Sequence, residues 1–281
     1  MRRRTLLSLC GACTVGLTGC LSESGRDQPT TADQSTDEVT STDDTADGGS
    51  AAVSVAVDAL QPGVITRISP DSIGVGDDDG QYLYLTLDVT SGESPAPDEF
   101  AFAFDGQSHS PYKTSKSYPL YRTVENQGSR YDAEDGVGWL LFELPGSGDA
   151  TNARFTWPGG EWRPDEMLRN RLAAPAPPLS VSVDVPETIE RNSSPTLSVT
   201  ITNDGDLPGR FVAGLNRSGP RIAYAPLARL TTLVTAGETK TVTYTDDGIY
   251  WSDNESNGEA SGTYHLNWPG GDADQEFTVE S

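Results

Sequence analysis

Apolar residues alternate with small or polar ones at Val53, Val55 and Val57, the two-residue period of a strand with one face against a core. The period returns at Leu83, Leu85, Leu87 and Val89, and at Phe100, Phe102 and Phe104. In the run 139–144, Trp139 and Leu141 share one face and Leu140, Phe142 and Leu144 the other. Turn residues separate these segments, as in Asp77-Asp78-Asp79-Gly80 and Leu144-Pro145-Gly146. Short strands with no helical pattern between them predict an antiparallel sandwich.

A second strand-rich unit follows, with Val181, Val183 and Val185, then Leu197, Val199 and Ile201, then Phe211, Ala213 and Leu215, then Val242 and Tyr244. Between the units, Pro164 to Leu172 has proline and acids in its first turn and arginines in its last, which predicts a helix. The run Pro175-Ala176-Pro177-Pro178 then predicts a stiff spacer. The expected fold is all-β: two tandem immunoglobulin-like antiparallel β-sandwiches, over 51–174 with a short C-terminal helix and over 179–281. Phe155-Thr156-Trp157-Pro158-Gly159-Gly160 is echoed by Leu266-Asn267-Trp268-Pro269-Gly270-Gly271. Pro-Gly suits positions two and three of a type II turn, so each echo predicts the last hairpin of its sandwich.

The N-terminus changes the picture. Met1-Arg2-Arg3-Arg4-Thr5-Leu6-Leu7 and the small, apolar residues to Leu17-Thr18-Gly19-Cys20 have the order of an export signal, expected over 1–19, and are too short to span a bilayer. The arginines followed by two leucines resemble a twin-arginine (Tat) signal, and Leu17-Thr18-Gly19-Cys20 resembles the lipobox after which lipoproteins are cleaved and diacylglyceryl-modified. Cys20 is the expected lipidation site, and two acyl chains there suffice for stable anchoring. Residues 20–50 are Ser, Thr, Asp and Gly with almost no large apolar side chain, and so predict a disordered acidic linker. The expected location is the outer face of the cell membrane. Cys10 and Cys13 lie within the signal, which leaves the mature domains without thiol chemistry.

Without the three signal arginines, 16 basic residues face 42 acidic ones, a formal charge of −26. This argues against a nucleic-acid partner. Such a field is screened at molar salt, where the Debye length falls to about 3 Å, and it points to a halophilic habitat.

Val185-Pro186-Glu187-Thr188, the run Val199 to Asp206, the run Ala236 to Tyr244, and Gly262-Thr263-Tyr264 resemble cell-surface immunoglobulin-like domains of the CARDB (cell-adhesion-related) type. The runs Tyr82 to Thr90 and Trp139 to Pro145 are similar to an immunoglobulin-like domain common in prokaryotic lipoproteins, with Ser91-Gly92-Glu93 in place of its Asn-Thr-Gly. The whole arrangement resembles lipoproteins of salt-loving archaea with tandem immunoglobulin-like domains. The resemblance implies a fold and brings no catalytic residue with it.

Candidate chemistry is sparse. Ser110-Pro111-Tyr112-Lys113 has the Ser-x-x-Lys spacing of penicillin-binding serine enzymes, and Tyr112 with Lys116 has a dehydrogenase spacing, but the companion motifs and helical context of both are missing. The two histidines, His109 and His265, fall in different units, and no cysteine is left for a blue-copper site. Asp77-Asp78-Asp79-Gly80 and Asp246-Asp247-Gly248 lack the spacing of a calcium loop and read as solvated turns. Catalytic, cofactor and metal residues are therefore expected to be none. Asn192, Asn216 and Asn254 begin Asn-x-Ser acceptors and are candidate N-glycosylation sites. Of Trp157, Trp162, Trp251 and Trp268, Trp251 in the polar run Tyr250 to Asn254 is the best candidate for a binding aromatic.

The expected function is a non-catalytic surface lipoprotein serving adhesion, envelope structure or binding, held to the membrane by lipid and meeting an unknown protein or glycan partner. The alternatives are an extracellular enzyme or accessory subunit with an unrecognised site, and a solute-binding lipoprotein.

Overall fold

The computed structural model describes residues 50–76, 79–113, 128–220, 222–249 and 260–280. The described residues are mostly strand with one short α-helix. The first half carries β1 (Ala52–Gln61), β2 (Ile65–Ser69), β3 (Ser72–Val75), β4 (Gly80–Ser91), β5 (Ala101–Phe104), β6 (Gln107–His109), β7 (Val137–Pro145), β8 (Arg154–Trp157), β9 (Gly160–Trp162) and helix α1 (Glu166–Ala173). The second half carries β10 (Leu179–Asp184), β11 (Thr188–Glu190), β12 (Thr196–Asn203), β13 (Gly209–Ser218), β14 (Ala225–Val234), β15 (Thr239–Thr245), β16 (Ala260–Trp268) and β17 (Gly271–Glu280).

In the first sandwich the sheet β1-β4-β7 faces the sheet β6-β5-β8-β9. Leu83, Leu85, Leu87, Phe102, Phe104, Phe142 and Phe155 form the core between them. β7 alternates as its sequence predicts, with Leu140, Phe142 and Leu144 in this core and Leu141 in a second cluster with Tyr82 and Tyr84. Asp165 caps helix α1, its carboxylate accepting the Leu168 N–H at 2.7 Å, so the helix begins at Glu166, two positions after Pro164. Leu168 and Leu172, one turn apart, dock the helix on the core.

The second sandwich stacks β10-β12-β15 on β11-β17-β16-β13-β14. Leu197, Val199 and Ile201 meet Phe211, Ala213, Leu215, Leu266 and Phe277. On the opposite face of β12 and β15, exposed threonines pair across the strands, Thr200 with Thr241 and Thr202 with Thr239. The turn after β12 is held from inside: buried Asn203 donates to the Leu207 and Val234 carbonyls and accepts from the Gly205 N–H. Among the named strands one pairing departs from the antiparallel expectation, because β11 runs parallel to β17.

The two echoed segments fold alike. Trp157 pairs with Gly160 and Trp268 with Gly271, and the intervening Gly159 and Gly270 have φ of 83° and 84°, the left-handed third position of a type II turn. A Cβ on Gly160 or Gly271 would lie 2.4 or 2.6 Å from the tryptophan ring folded over it, which explains the second glycine of each echo.

The chain passes between the cores through residues 174–178, which do not stand clear of the second sandwich. The Pro178 carbonyl accepts the Asp204 N–H, and Pro177 lies so close to Gly209 that a Cβ there would come within 2.3 Å of the proline ring. The hairpin β2–β3 reaches across from the first sandwich. Its Ile65 and Ile73 bury Val212, a residue on the outer face of β13.

Candidate functional site

Strand β13 organises the site. Phe211, Ala213, Leu215 and Arg217 face the second core, so Arg210, Val212, Gly214, Asn216 and Ser218 face outward, and Val212, Gly214 and Asn216 meet the first sandwich. Each outward position has a distinct role.

At the centre, Asn216 accepts the Ile73 N–H and donates to the Ile73 carbonyl, both at 2.9 Å. Two residues along, Asn267 of β16 accepts the Val75 N–H at 3.1 Å. β3 pairs through its backbone with β2, and these two side-chain amides satisfy polar groups that a sheet edge would otherwise leave open. The approach is close: a Cβ on Gly214 would lie 3.2 Å from Asn267 Oδ1 and 3.4 Å from Ile73.

Beyond Val212 the two sandwiches part into a cleft of about 540 Å³. Leu60, Pro62, Pro177, Leu207 and Pro269 supply apolar walls, and Arg171 of α1 and Arg210 of β13 project into it, with Asp79 also on the lining. Arg171 donates to the Leu60 carbonyl at 2.9 Å and Arg210 to Thr231 Oγ1 at 3.3 Å. Among the described residues neither guanidinium has a carboxylate within 4 Å. Burial, reinforced by the charge of Arg210, pushes the Arg171 guanidinium down to about 10. Burial also lowers Arg210, against the attraction of Asp58. Asp58 on β1 accepts a hydrogen bond from Thr86, and its burial raises it above the usual carboxylate range.

At the other end of β13, Ser218 Oγ lies 2.9 Å from His265 Nε2, and His265 Nδ1 lies 2.8 Å from Asp274 Oδ1. Asp274 sits directly opposite His265 in the β16–β17 register, and Ser218 is diagonal to it across β13–β16. The Tyr224 ring stacks on the imidazole at 5.0 Å. This is the connectivity of a Ser-His-Asp relay. Two features differ from a working triad: Asp274 is 62% exposed, and the Gly219 N–H that follows the serine is spent on the Ile222 carbonyl, so it is not free as an oxyanion donor.

Inside the second core, Arg217 Nη1 bonds Asp246 Oδ2 at 2.6 Å, and Tyr264 donates to the same oxygen. The Gly248 N–H occupies the other carboxylate oxygen. Arg217 is 3% and Asp246 1% exposed. The reading of Asp246-Asp247-Gly248 as a solvated turn is therefore corrected at Asp246, which is a buried ion-pair partner.

Asn216 is the second correction. It is 1% exposed and both its amide groups are engaged with Ile73, so an N-linked sugar is incompatible with this structure. Asn192 lies exposed after β11 at φ 59°. Cys20, Asn254 and Trp251 lie outside the described residues. Trp157, Trp162 and Trp268 are half-buried against the two cores. Ser110 and Lys113 fall in a stretch without helix, and His109 and His265 belong to different sandwiches. Among the described residues no cluster of metal-ligating side chains occurs, and no helix is long and apolar enough to cross a membrane. Sequence reasoning did not single out Arg171, Arg210, Ser218 or Asp274.

No family model and no curated protein matches the chain. Among solved structures, a beta-glucosidase from Listeria innocua is similar over 39% of this chain and 17% of its own, at 19% identity and a TM-score of 0.31. The alkylpurine DNA glycosylase AlkC of Pseudomonas fluorescens, bound to DNA containing an abasic site analog, is similar over 36% of this chain and 30% of its own, at 14% identity and a TM-score of 0.29. A CARDB domain from Pyrococcus furiosus, in complex with di-metal ions, is similar over 37% of this chain and 94% of its own, at 16% identity and a TM-score of 0.27. The chain thus spans less than a third of the two enzymes' length.

Proposed function

We propose that this protein is a non-catalytic binding module displayed on the cell surface, exported by a twin-arginine signal and anchored by lipid on Cys20, with its two sandwiches acting as one rigid body. The observation that carries the binding role is the clamp of Asn216 and Asn267 on β3, which holds the sandwiches so that a cleft is built between them. A preformed concavity between domains is the ordinary setting of a recognition site. Fixing it in advance lowers the entropy lost on binding. The lipobox-like Leu17-Thr18-Gly19-Cys20 supports the anchoring. Replacing Cys20→Ser should release folded protein into the medium; a variant that stays membrane-bound after its signal is cleaved would refute the anchor.

A second reading, an extracellular serine hydrolase, is favoured by the Ser218–His265–Asp274 relay. The exposed aspartate and the occupied Gly219 N–H weigh against it. A fluorophosphonate probe decides: the non-catalytic reading predicts no labelling, and labelling that Ser218→Ala abolishes would establish the hydrolase.

A further inference from the structure

We propose that the cleft between the sandwiches is a binding site for a small organic monocarboxylate, gripped by Arg171 and Arg210. This extends the binding role above, and it can fail while anchoring and display stand.

The argument starts from charge. The chain has 42 acidic residues, and the most deeply buried ion pair among the described residues, Arg217 with Asp246, shows how a desolvated guanidinium is matched by a carboxylate. Among the described residues Arg171 and Arg210 have no carboxylate within 4 Å, although they are half-buried and near enough for one to depress the other. Desolvating two like charges side by side is unfavourable, and a carboxylate at closer range than Asp58 would relieve it. Each guanidinium carries five N–H donors, and among the described residues one of them is engaged, on a neutral acceptor. The unused fork matches the two oxygens of a carboxylate.

Local charge sets the valence. Asp79 shares the lining and Asp58 attracts Arg210, so the two guanidinium charges are largely offset and the cleft suits a monoanion better than sulfate or phosphate. The walls set leucine and proline beside polar Gln61, Gln81 and Ser147, which suits a body with both apolar and hydroxyl-bearing faces behind the carboxylate. The positions are fixed from outside the cleft. Arg171 rides on a helix docked by Leu168 and Leu172, with the Leu172 carbonyl held by buried Gln81, and Arg210 stands on the strand that carries the Asn216 clamp.

Titration calorimetry of the full-length protein with D-glucuronate, D-glucose and sulfate tests this. The pair of sugars differs at the carboxylate. Saturable binding of glucuronate is expected, with no heat from glucose and weaker binding of sulfate. Arg171→Gln and Arg210→Gln should each weaken glucuronate about ten-fold or more. Arg210→Lys, which keeps the charge but not the fork, should fall between, and it decides the matter if a glutamine variant fails to fold. Equal response to glucuronate and glucose, tighter binding of sulfate, or affinity unchanged in folded Arg210→Lys and Arg210→Gln would overturn the proposal.

Discussion

Asn216 and Ile73 are 143 positions apart and bonded as neighbouring strand residues are: the Asn216 side chain takes the Ile73 N–H and gives an N–H to its carbonyl. A side chain here does the work of a backbone ladder, and it ties β13 of one sandwich to β3 of the other. Removing it leaves both Ile73 groups buried without a partner, at about 1–3 kcal/mol each. Asn216→Ala should therefore cost about 2–6 kcal/mol. Asn216→Asp should be no better, since a carboxylate cannot donate to the Ile73 carbonyl. Denaturant melts measure both; a loss under 1 kcal/mol would show that the clamp carries no weight.

The Arg217–Asp246 pair makes a prediction about the second core. Asp246→Ala strands a buried guanidinium and should cost about 3–5 kcal/mol. Replacing both partners, Arg217→Met with Asp246→Leu, should cost less than the single change, because no unpaired charge remains. Burial and the Asp246 carboxylate push the Tyr264 phenol far above its ordinary value, so that hydrogen bond should persist through alkaline pH. Thermal melts of the single and double variants check the order.

Asp58 should respond to pH in the opposite sense to a salt-bridged acid. Burial outweighs the Thr86 bond and the attraction of Arg210, so its folded pKa lies above the unfolded value of about 3.9. Its contribution is full below the unfolded pKa and is lost as pH rises through the folded one. Asp58→Asn should therefore melt higher than the native protein at pH 7, with the gap closing toward pH 4. A variant less stable at pH 7 would mean that Arg210 holds Asp58 as an ion.

Acidity predicts a salt effect. Between molar and about 0.01 M salt the Debye length grows from about 3 Å to about 30 Å, and carboxylates on opposite faces begin to repel. The melting midpoint should fall as salt is removed. A midpoint unchanged across that range would leave the acidity a role in solubility alone.

The strands were legible wherever one face is buried, because Leu197, Val199 and Ile201 show the two-residue period directly. Where both faces are buried the period fails. Phe211-Val212-Ala213-Gly214-Leu215 is a continuous apolar run, the mark of a strand covered on both sides, and reading only its odd positions missed the seam that Val212 and Gly214 make with Ile73. The site residues were hidden for another reason. Arg171 in the last turn of a helix reads as a complement to the helix dipole, and nothing local shows that it meets Arg210. Ser218, His265 and Asp274 meet only through the register of β13, β16 and β17.

One measurement bears most directly on the claim that the sandwiches form a single rigid body. Scanning calorimetry of the protein at molar salt should show one transition whose calorimetric and van't Hoff enthalpies agree, and Asn216→Ala should split it into two. Two separate transitions in the native protein, unaffected by Asn216→Ala, would mean that the sandwiches unfold independently and that the cleft between them is not a fixed site.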